Sequence, residues 1–275
     1  MNWKIFNISI PVKDLRESIK FYEMLLGERI DSDDMYRNIF KDEEDYFFGK
    51  NGFGIRLFKP KPDLLLGSNI QSRRSFVTIL VSDIGTIVKN LNDKDIKYIF
   101  DDHKKYKRLL VQEPSLNLIQ FVENDNKLTN DLDGYDFGLD WGIHHMNLES
   151  LDVRESVKFF SDIIGFSEGK WIAPENKGDF SIDPTELSIF PISNDNKGLH
   201  IIKPDDGFGY RNNFAHNPSI AGHPAFTVKD LTAVIKKLED RNILFSDAKV
   251  YAMPGFHQIY LYDINANMLE INQAV

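Results

Sequence analysis

The chain repeats itself, and the repeat limits its folds more than any other feature. Asn7–Tyr22 (NISIPVKDLRESIKFY) and His145–Phe160 (HMNLESLDVRESVKFF) share six identical residues at an offset of 138. These are Asp14/Asp152, Arg16/Arg154, Glu17/Glu155, Ser18/Ser156, Lys20/Lys158 and Phe21/Phe159. The likeness continues in Gly54–Pro60 (GIRLFKP) and Gly198–Pro204 (GLHIIKP), in Val81–Ile84 and Val228–Leu231, and in Asn117–Gln120 and Asn267–Glu270. The offset grows only to 150, so the 275 residues read as two copies with short insertions. Copies of one sequence fold into copies of one supersecondary unit, so whatever one half forms, the other forms too.

Within each half a smaller unit occurs twice. Phe6, Ile8 and Ile10 alternate with polar positions, as a half-buried strand requires. A helix follows: Asp14 suits an N-cap, Ile19, Tyr22, Leu25 and Leu26 form one apolar face, and Gly27 stands where a C′ glycine belongs. Several strands come next. The order restarts near Phe76, His144 and Pro224, with helices from about Asp83, Asp152 and Asp230. The expectation is an α+β chain of four βαβββ units, two in residues 1–125 and two in residues 141–275. The polar, acidic stretch Asn124–Asp140 separates them, with residues 126–140 as the linker.

Composition narrows the chemistry. There is no cysteine, which removes disulfides, zinc–thiolate sites, iron–sulfur clusters and cysteine nucleophiles. A metal would have to be held by His, Asp or Glu, and there are seven histidines. The net charge of −9 argues against a grip on nucleic acid phosphates. No apolar run reaches the roughly 18–20 residues that span a bilayer, and no signal peptide is apparent, so a cytoplasmic location is expected. P-loop, dinucleotide GxGxxG and GxSxG nucleophile motifs are all missing.

The repeat lets the halves be compared position by position. His145, His223 and Glu270 correspond to Asn7, Phe76 and Gln120. Strand parity puts each of the three on the less apolar face. His145, Asn147 and Glu149 point into a cleft while His144, Met146 and Leu148 face the helix; His223 shares a face with Ala225 and Thr227, and Glu270 with Asn272. Two histidines and one carboxylate are the donor set of the non-haem Fe(II) facial triad, and Zn(II) or Mn(II) accepts the same ligands.

At these residues the sequence resembles the vicinal oxygen chelate superfamily, which includes glyoxalase I, the fosfomycin and bleomycin resistance proteins and the type I extradiol dioxygenases. The features that carry the likeness are His145 before LDVRESVKFFSDIIGF, the segment GHPAFTVKDL (Gly222–Leu231) and the ending LYDINANMLEIN (Leu261–Asn272). The resemblance implies two open barrel-like domains, each a pair of βαβββ units, with ligands in the C-terminal domain alone. The layout is closest to the two-domain extradiol enzymes. It further implies one divalent metal, Fe(II) first, held by His145, His223 and Glu270, with a small catecholic or related vicinal-oxygen substrate and O2 as partners. His200 and His257 match the family's acid–base and supporting histidines, and Tyr262 is a donor for a substrate hydrogen bond. The turn before Glu270 reads Asp263–Asn267 and departs from the Pro- and Gly-containing turn of the extradiol signature.

The loop Asp205–Ser219 reads as a lid, with Tyr210, Arg211, Phe214 and His216 as substrate contacts and Arg211 suited to a carboxylate. Asp179–Ile189 is expected to line another wall, whereas Lys59–Pro62 and Lys104–Arg108 read as solvated basic turns. Two further functions stay open: a redox-neutral isomerase, epimerase or lyase of glyoxalase type, and a non-catalytic binding or resistance protein. Association into a homo-oligomer is also open.

Overall fold

The computed structural model describes residues 1–27, 44–50, 52–60, 74–103, 106–123, 138–173 and 183–275. Strand β1 (Trp3–Pro11) is followed by helix α1 (Leu15–Leu26), β2 (Glu44–Lys50) and β3 (Phe53–Lys59). The second unit is β4 (Phe76–Val81), α2 (Ile84–Asp93), β5 (Tyr98–His103), β6 (Tyr106–Gln112) and β7 (Leu118–Glu123). The second half repeats this as β8 (Trp141–Glu149), α3 (Val153–Lys158) running into a π-helical turn (Phe159–Ile164), β9 (Leu187–Pro191) and β10 (Gly198–Ile202). A short helix α4 (Phe208–Arg211) precedes β11 (Pro224–Val228), α5 (Leu231–Glu239), β12 (Phe245–Lys249), β13 (Phe256–Tyr262) and β14 (Met268–Ala274).

The two halves form matching seven-stranded mixed sheets, β2-β3-β1-β4-β7-β6-β5 and β9-β10-β8-β11-β14-β13-β12, neither closed into a barrel. The fold is the α+β arrangement of βαβββ-type units that the repeat predicts. In the third unit the chain after β10 forms the α4 loop rather than a further strand. Each of the four helices that open a unit is capped by the aspartate the sequence points to. Asp14, Asp83, Asp152 and Asp230 accept from the amides of Glu17, Thr86, Glu155 and Ala233. Each cap stabilises its helix by about 1 kcal/mol. Gly54 and Gly198 sit at equivalent places in β3 and β10, with φ of +147° and +146°. A Cβ there would lie 1.9 Å from the carbonyl oxygen of Phe48 or 2.1 Å from that of Phe190, so only glycine lets the hairpin close.

One apolar core runs through both halves and joins, among others, Ile8, Ile10 and Ile79 to Met146, Leu148, Phe226 and Ile271. Helix α1 packs against α5, and α2 against the π-helical turn. Polar bonds to the equivalent carboxylates Asp263 and Glu113 fasten the halves together. The Tyr22 hydroxyl donates to Asp263 Oδ2 (3.0 Å), and the Ser156 hydroxyl donates to Glu113 Oε2 (2.6 Å). Asp263 also accepts from the amides of Asn265 and Asn267, each at 2.8 Å. Asp263→Ala would leave several buried donors without partners at about 1–3 kcal/mol each. The expected loss is at least about 2 kcal/mol, read as a lower denaturant midpoint with an unchanged slope.

The linker reading falls mostly outside the described residues, which include only Gly138–Asp140 of that stretch. Lys61, Pro62, Lys104, Lys105 and residues 179–182 also lie outside them. Of the basic clusters, Lys59 is exposed and pairs with Glu44 at 3.8 Å. Arg108 does not sit in a solvated turn: it is 3% exposed on β6 and paired with Asp101 at 2.6 Å. Among the described residues no helix is long and apolar enough to cross a membrane.

Candidate metal centre

The site is assembled by three neighbouring strands of the second sheet, in the order β14-β11-β8. Ala225 on the central strand is the register partner of His145 on one side and of Glu270 on the other. Its methyl group leaves the space in which those two long side chains meet. His223 stands two residues before Ala225 and so presents its ring to the same face. Its backbone N–H and C=O bond to Asn147 at 3.0 and 2.8 Å, fixing that approach. The imidazole Nε2 of His145 lies 3.4 Å from Glu270 Oε2, and that of His223 lies 3.7 Å from the same oxygen. One ligand atom from each residue lies within 4.8 Å of the others, and all three residues are 2% exposed.

This donor set fits a divalent ion. Bonds of about 2.0–2.2 Å to nitrogen and carboxylate oxygen would draw the three atoms slightly closer together. Burial pushes the Glu270 carboxyl up, but the adjacent His145 and His223 more than offset it and hold the group well below the usual carboxylate range. Burial also lowers His223, which favours the neutral imidazole a metal needs. Glu270 Oε1 accepts from Gln258 Nε2 (3.1 Å) and Asn272 Nδ2 (2.8 Å), and Oε2 is the oxygen turned to the two imidazoles. Asn272 is itself held by the Thr227 hydroxyl at 2.7 Å.

His200 joins the cluster. Its ring stacks on His145 with centroids 3.8 Å apart, and its Nε2 lies 2.6 Å from the Asn196 carbonyl. A carbonyl only accepts, so Nε2 carries the proton and Nδ1 keeps its lone pair. Burial drives the His200 pKa well below the ordinary histidine value, so the ring is a neutral base. A cavity of about 50 Å³ over the triad is lined by His145, His200, His223 and Glu270 together with Asn147, Trp171, Phe208, Tyr251, Met253, Gln258 and Tyr260. Asn147 Oδ1 is buried there without a hydrogen-bond partner. A neighbouring cavity of about 490 Å³ shares Leu187, Ile202 and Phe208 with it. Leu187 bears out part of the wall expected from Asp179–Ile189.

Other expected residues lie apart from this cluster. His257 alternates with Gln258 on β13, so its ring faces away from the cavity and bonds Asp247 Oδ1 at 2.7 Å. Tyr262 is 44% exposed beyond the rim, with its ring 4.9 Å from that of His216. Two residues earlier, Tyr260 is 4% exposed, is the register partner of Glu270 and sits edge-on to His223. On the loop, Tyr210 is 91% exposed, and Arg211 is paired with Asp205. His216 is buried against the Ser246 hydroxyl at 2.9 Å. Phe214 packs behind the cavity wall on Tyr251 and Tyr260. The loop residues that reach the cavity are Phe208 and Pro218.

His144 departs most from the parity reading. Its Nδ1 is 2.9 Å from His145 Nδ1, and its ring packs edge-on to Phe256. The pairing of β8 with β11 slips between Ala225 and Phe226, whose partners are His145 and Ile143. His144 is therefore the extra residue of a β-bulge and turns to the cavity side. Burial, followed by the neighbouring His145, pushes its pKa down to about 3.

The first half has the same geometry without the donors. Register places Asn7, Gln120 and Arg56 where the second half has His145, Glu270 and His200. Phe58, Phe76, Leu110 and Leu118 form an apolar cluster at the places of Ile202, His223, Tyr260 and Met268. Arg56 is fully buried, pairs with Asp45 at 2.9 Å and lies over the Phe58 ring. Among the described residues, apolar side chains and the Arg56–Asp45 pair thus stand where the second half has its donors.

Residues 4–121 match the model of the Glyoxalase/Bleomycin resistance protein/Dioxygenase superfamily. No curated protein matches the sequence. Among solved structures, the 2,3-dioxygenase LapB from Pseudomonas sp. KL28 superposes with a TM-score of 0.62 at 14% identity, covering 98% of this chain and 92% of that one. The 2,2',3-trihydroxybiphenyl 1,2-dioxygenase from Sphingomonas wittichii strain RW1 gives 0.63 at 10% identity, covering 100% and 91%. A Mn(II)-bound glyoxalase from Novosphingobium aromaticivorans gives 0.60 at 13% identity, covering 98% and 81%.

Proposed function

From a chain that fits the vicinal oxygen chelate superfamily, by its sequence at residues 4–121 and by its fold throughout, we propose an Fe(II)-dependent dioxygenase of the extradiol type, with its catalytic work confined to residues 141–275. The observation that carries this reading is the buried His145–His223–Glu270 cluster with a neutral His200 stacked against it. The substrate is a small aromatic vicinal diol or a related compound with two adjacent oxygens, and O2 is the co-substrate. A metal held by His145, His223 and Glu270 would supply Lewis acidity to the substrate's adjacent oxygens.

The protein's own groups do the rest. His200 Nδ1 accepts a proton from a substrate hydroxyl, and its Nε2–H stays fixed on the Asn196 carbonyl. Asn147 Oδ1, buried without a partner, accepts from a second hydroxyl. Trp171, Phe208, Tyr251 and Met253 keep bulk water from the reacting ring. The larger neighbouring cavity receives whatever substituent the ring carries.

The redox-neutral alternative rests on the glyoxalase among the structural neighbours. The grouping of His145, His223 and Glu270 without His200 as a fourth ligand favours the dioxygenase. Anaerobic loading with Fe(II) and a panel of catechols, followed by an oxygen electrode, decides the matter. Uptake of one O2 per substrate is expected. Tight Zn(II) or Ni(II) occupancy, no oxygen uptake, and isomerisation or lysis of a test substrate would favour the glyoxalase-type reaction instead. Ligand binding without turnover would make the chain a binding protein.

A further inference from the structure

We infer that His144 is a positioning residue that fixes the tautomer of the ligand His145 and strengthens it as a donor, with Asp195 behind it. The inference rests on reading His145 as a metal ligand. His145 presents Nε2 to Glu270, so a metal there takes the Nε2 lone pair and the proton must sit on Nδ1. That nitrogen is 2.9 Å from His144 Nδ1, and the two rings stand nearly perpendicular at 81°. Two ring nitrogens at this distance share one proton, so His145 donates and His144 accepts. A neutral His144 then carries its own proton on Nε2. That atom is buried without a hydrogen-bond partner, and Asp195 Oδ2 lies 3.9 Å from it, too far for a hydrogen bond but placed so that its negative charge favours an N–H there.

The turn between β9 and β10 makes the arrangement specific. Asp195 belongs to it, and its Oδ1 accepts from the amide of Lys197 at 3.2 Å. Asn196, held at φ +60°, offers its carbonyl to His200 and bonds both backbone groups of Ile172 through its side chain. One turn therefore supports the two imidazoles beside the metal position. At the equivalent bulge, the first half has Phe6, fully buried and in the core, where no ligand follows. A phenylalanine thus packs at this bulge where no histidine has to be oriented.

The test uses the full-length protein and two metals, Zn(II) and Fe(II). Loss of such an outer hydrogen bond costs roughly 10–100-fold in metal affinity. His144→Phe is expected to raise the Kd for both metals by that factor with little change in the thermal midpoint of the metal-free protein. His144→Gln, whose carbonyl can accept the same proton, is expected to recover most of the affinity. Asp195→Asn is expected to weaken binding several-fold. In the zinc-loaded wild-type protein, long-range proton–nitrogen NMR of labelled histidines should find His145 as the Nδ1–H tautomer and His144 as Nε2–H. A His144 that carries its proton on Nδ1, or a His144→Phe protein with wild-type Kd, overturns the inference. His145→Ala separates the two levels: retained metal sinks the triad itself, whereas lost metal beside an unchanged His144→Phe sinks only the role of His144.

Discussion

Alanine in place of His145, His223 or Glu270 is expected to abolish metal retention and, with it, turnover. Each residue supplies one of three donor atoms gathered within 4.8 Å. The affinity loss should exceed the roughly 10–100-fold cost of an outer-shell change, because a metal–ligand bond itself is removed. Glu270→Ala carries a second cost: it leaves the Gln258 and Asn272 amides, which bond Oε1, without that acceptor. Glu270→Gln separates these effects, since it keeps the shape and removes the charge; metal should still be lost while most of the stability remains. Asn7→Ala is the matched control. It alters the equivalent position of the other half, where Phe76 and Gln120 complete no donor set, and metal content should not change. Metal analysis of the purified variants by mass spectrometry reads the result. Wild-type metal in any one of the three ligand variants refutes the assignment of that residue.

The fold was legible in the repeat because topology is inherited whole. Once Asn7–Tyr22 and His145–Phe160 align, both sheets must share one strand order, as they do. The candidate donor cluster was legible for the same reason: equal positions with unequal residues single out His145, His223 and Glu270, which the structure gathers together. What parity could not supply is strand irregularity and the partner across the sheet. Counting by twos assigned His144 to the helix side, but the bulge at that residue shifts the count by one. Tyr260 needed the β13–β14 register, which sets it opposite Glu270, whereas alternation alone allows Tyr262 equally well. His257 was placed by its nearness to the last strands in sequence, and one residue of offset turns it to the outer face beside Asp247. In the lid loop, irregular backbone gives no period to count, so aromatic content drew attention to Tyr210 while Phe208 and Pro218 are the residues that reach the cavity. Among the described residues of the first half, four apolar side chains cluster at the places of Ile202, His223, Tyr260 and Met268, and Arg56 paired with Asp45 stands at the place of His200.

Replacing His200 is the change expected to separate chemistry from metal binding most sharply. His200 touches the site through its stack on His145, yet it is not one of the three donors. Its Nε2–H is committed to the Asn196 carbonyl, so the only basic atom it offers is Nδ1. Removing a positioned general base typically costs 10²–10⁴-fold in rate. His200→Phe keeps a flat ring against His145 and deletes both nitrogens. Turnover should fall within that range while metal content stays at the wild-type level and KM changes little, the pattern of an interaction made chiefly in the transition state. A structural role predicts a different signature: metal loss, a lower thermal midpoint, and kcat reduced only in proportion to the metal lost. A kcat within tenfold of wild type at full metal occupancy would mean that the proton leaves by another route. His145 and His223 are then unavailable, since both are spent on the metal, and His144 is spent on His145. The remaining polar groups lining the cavity are the amides of Asn147 and Gln258 and the phenols of Tyr251 and Tyr260. Burial, followed by the nearby Glu270 charge, raises the Tyr260 phenol well above its ordinary pKa, so it can donate a hydrogen bond but is a poor acceptor of a proton. If the proposed reaction holds, Nδ1 of His200 is the group in this cavity expected to accept the proton.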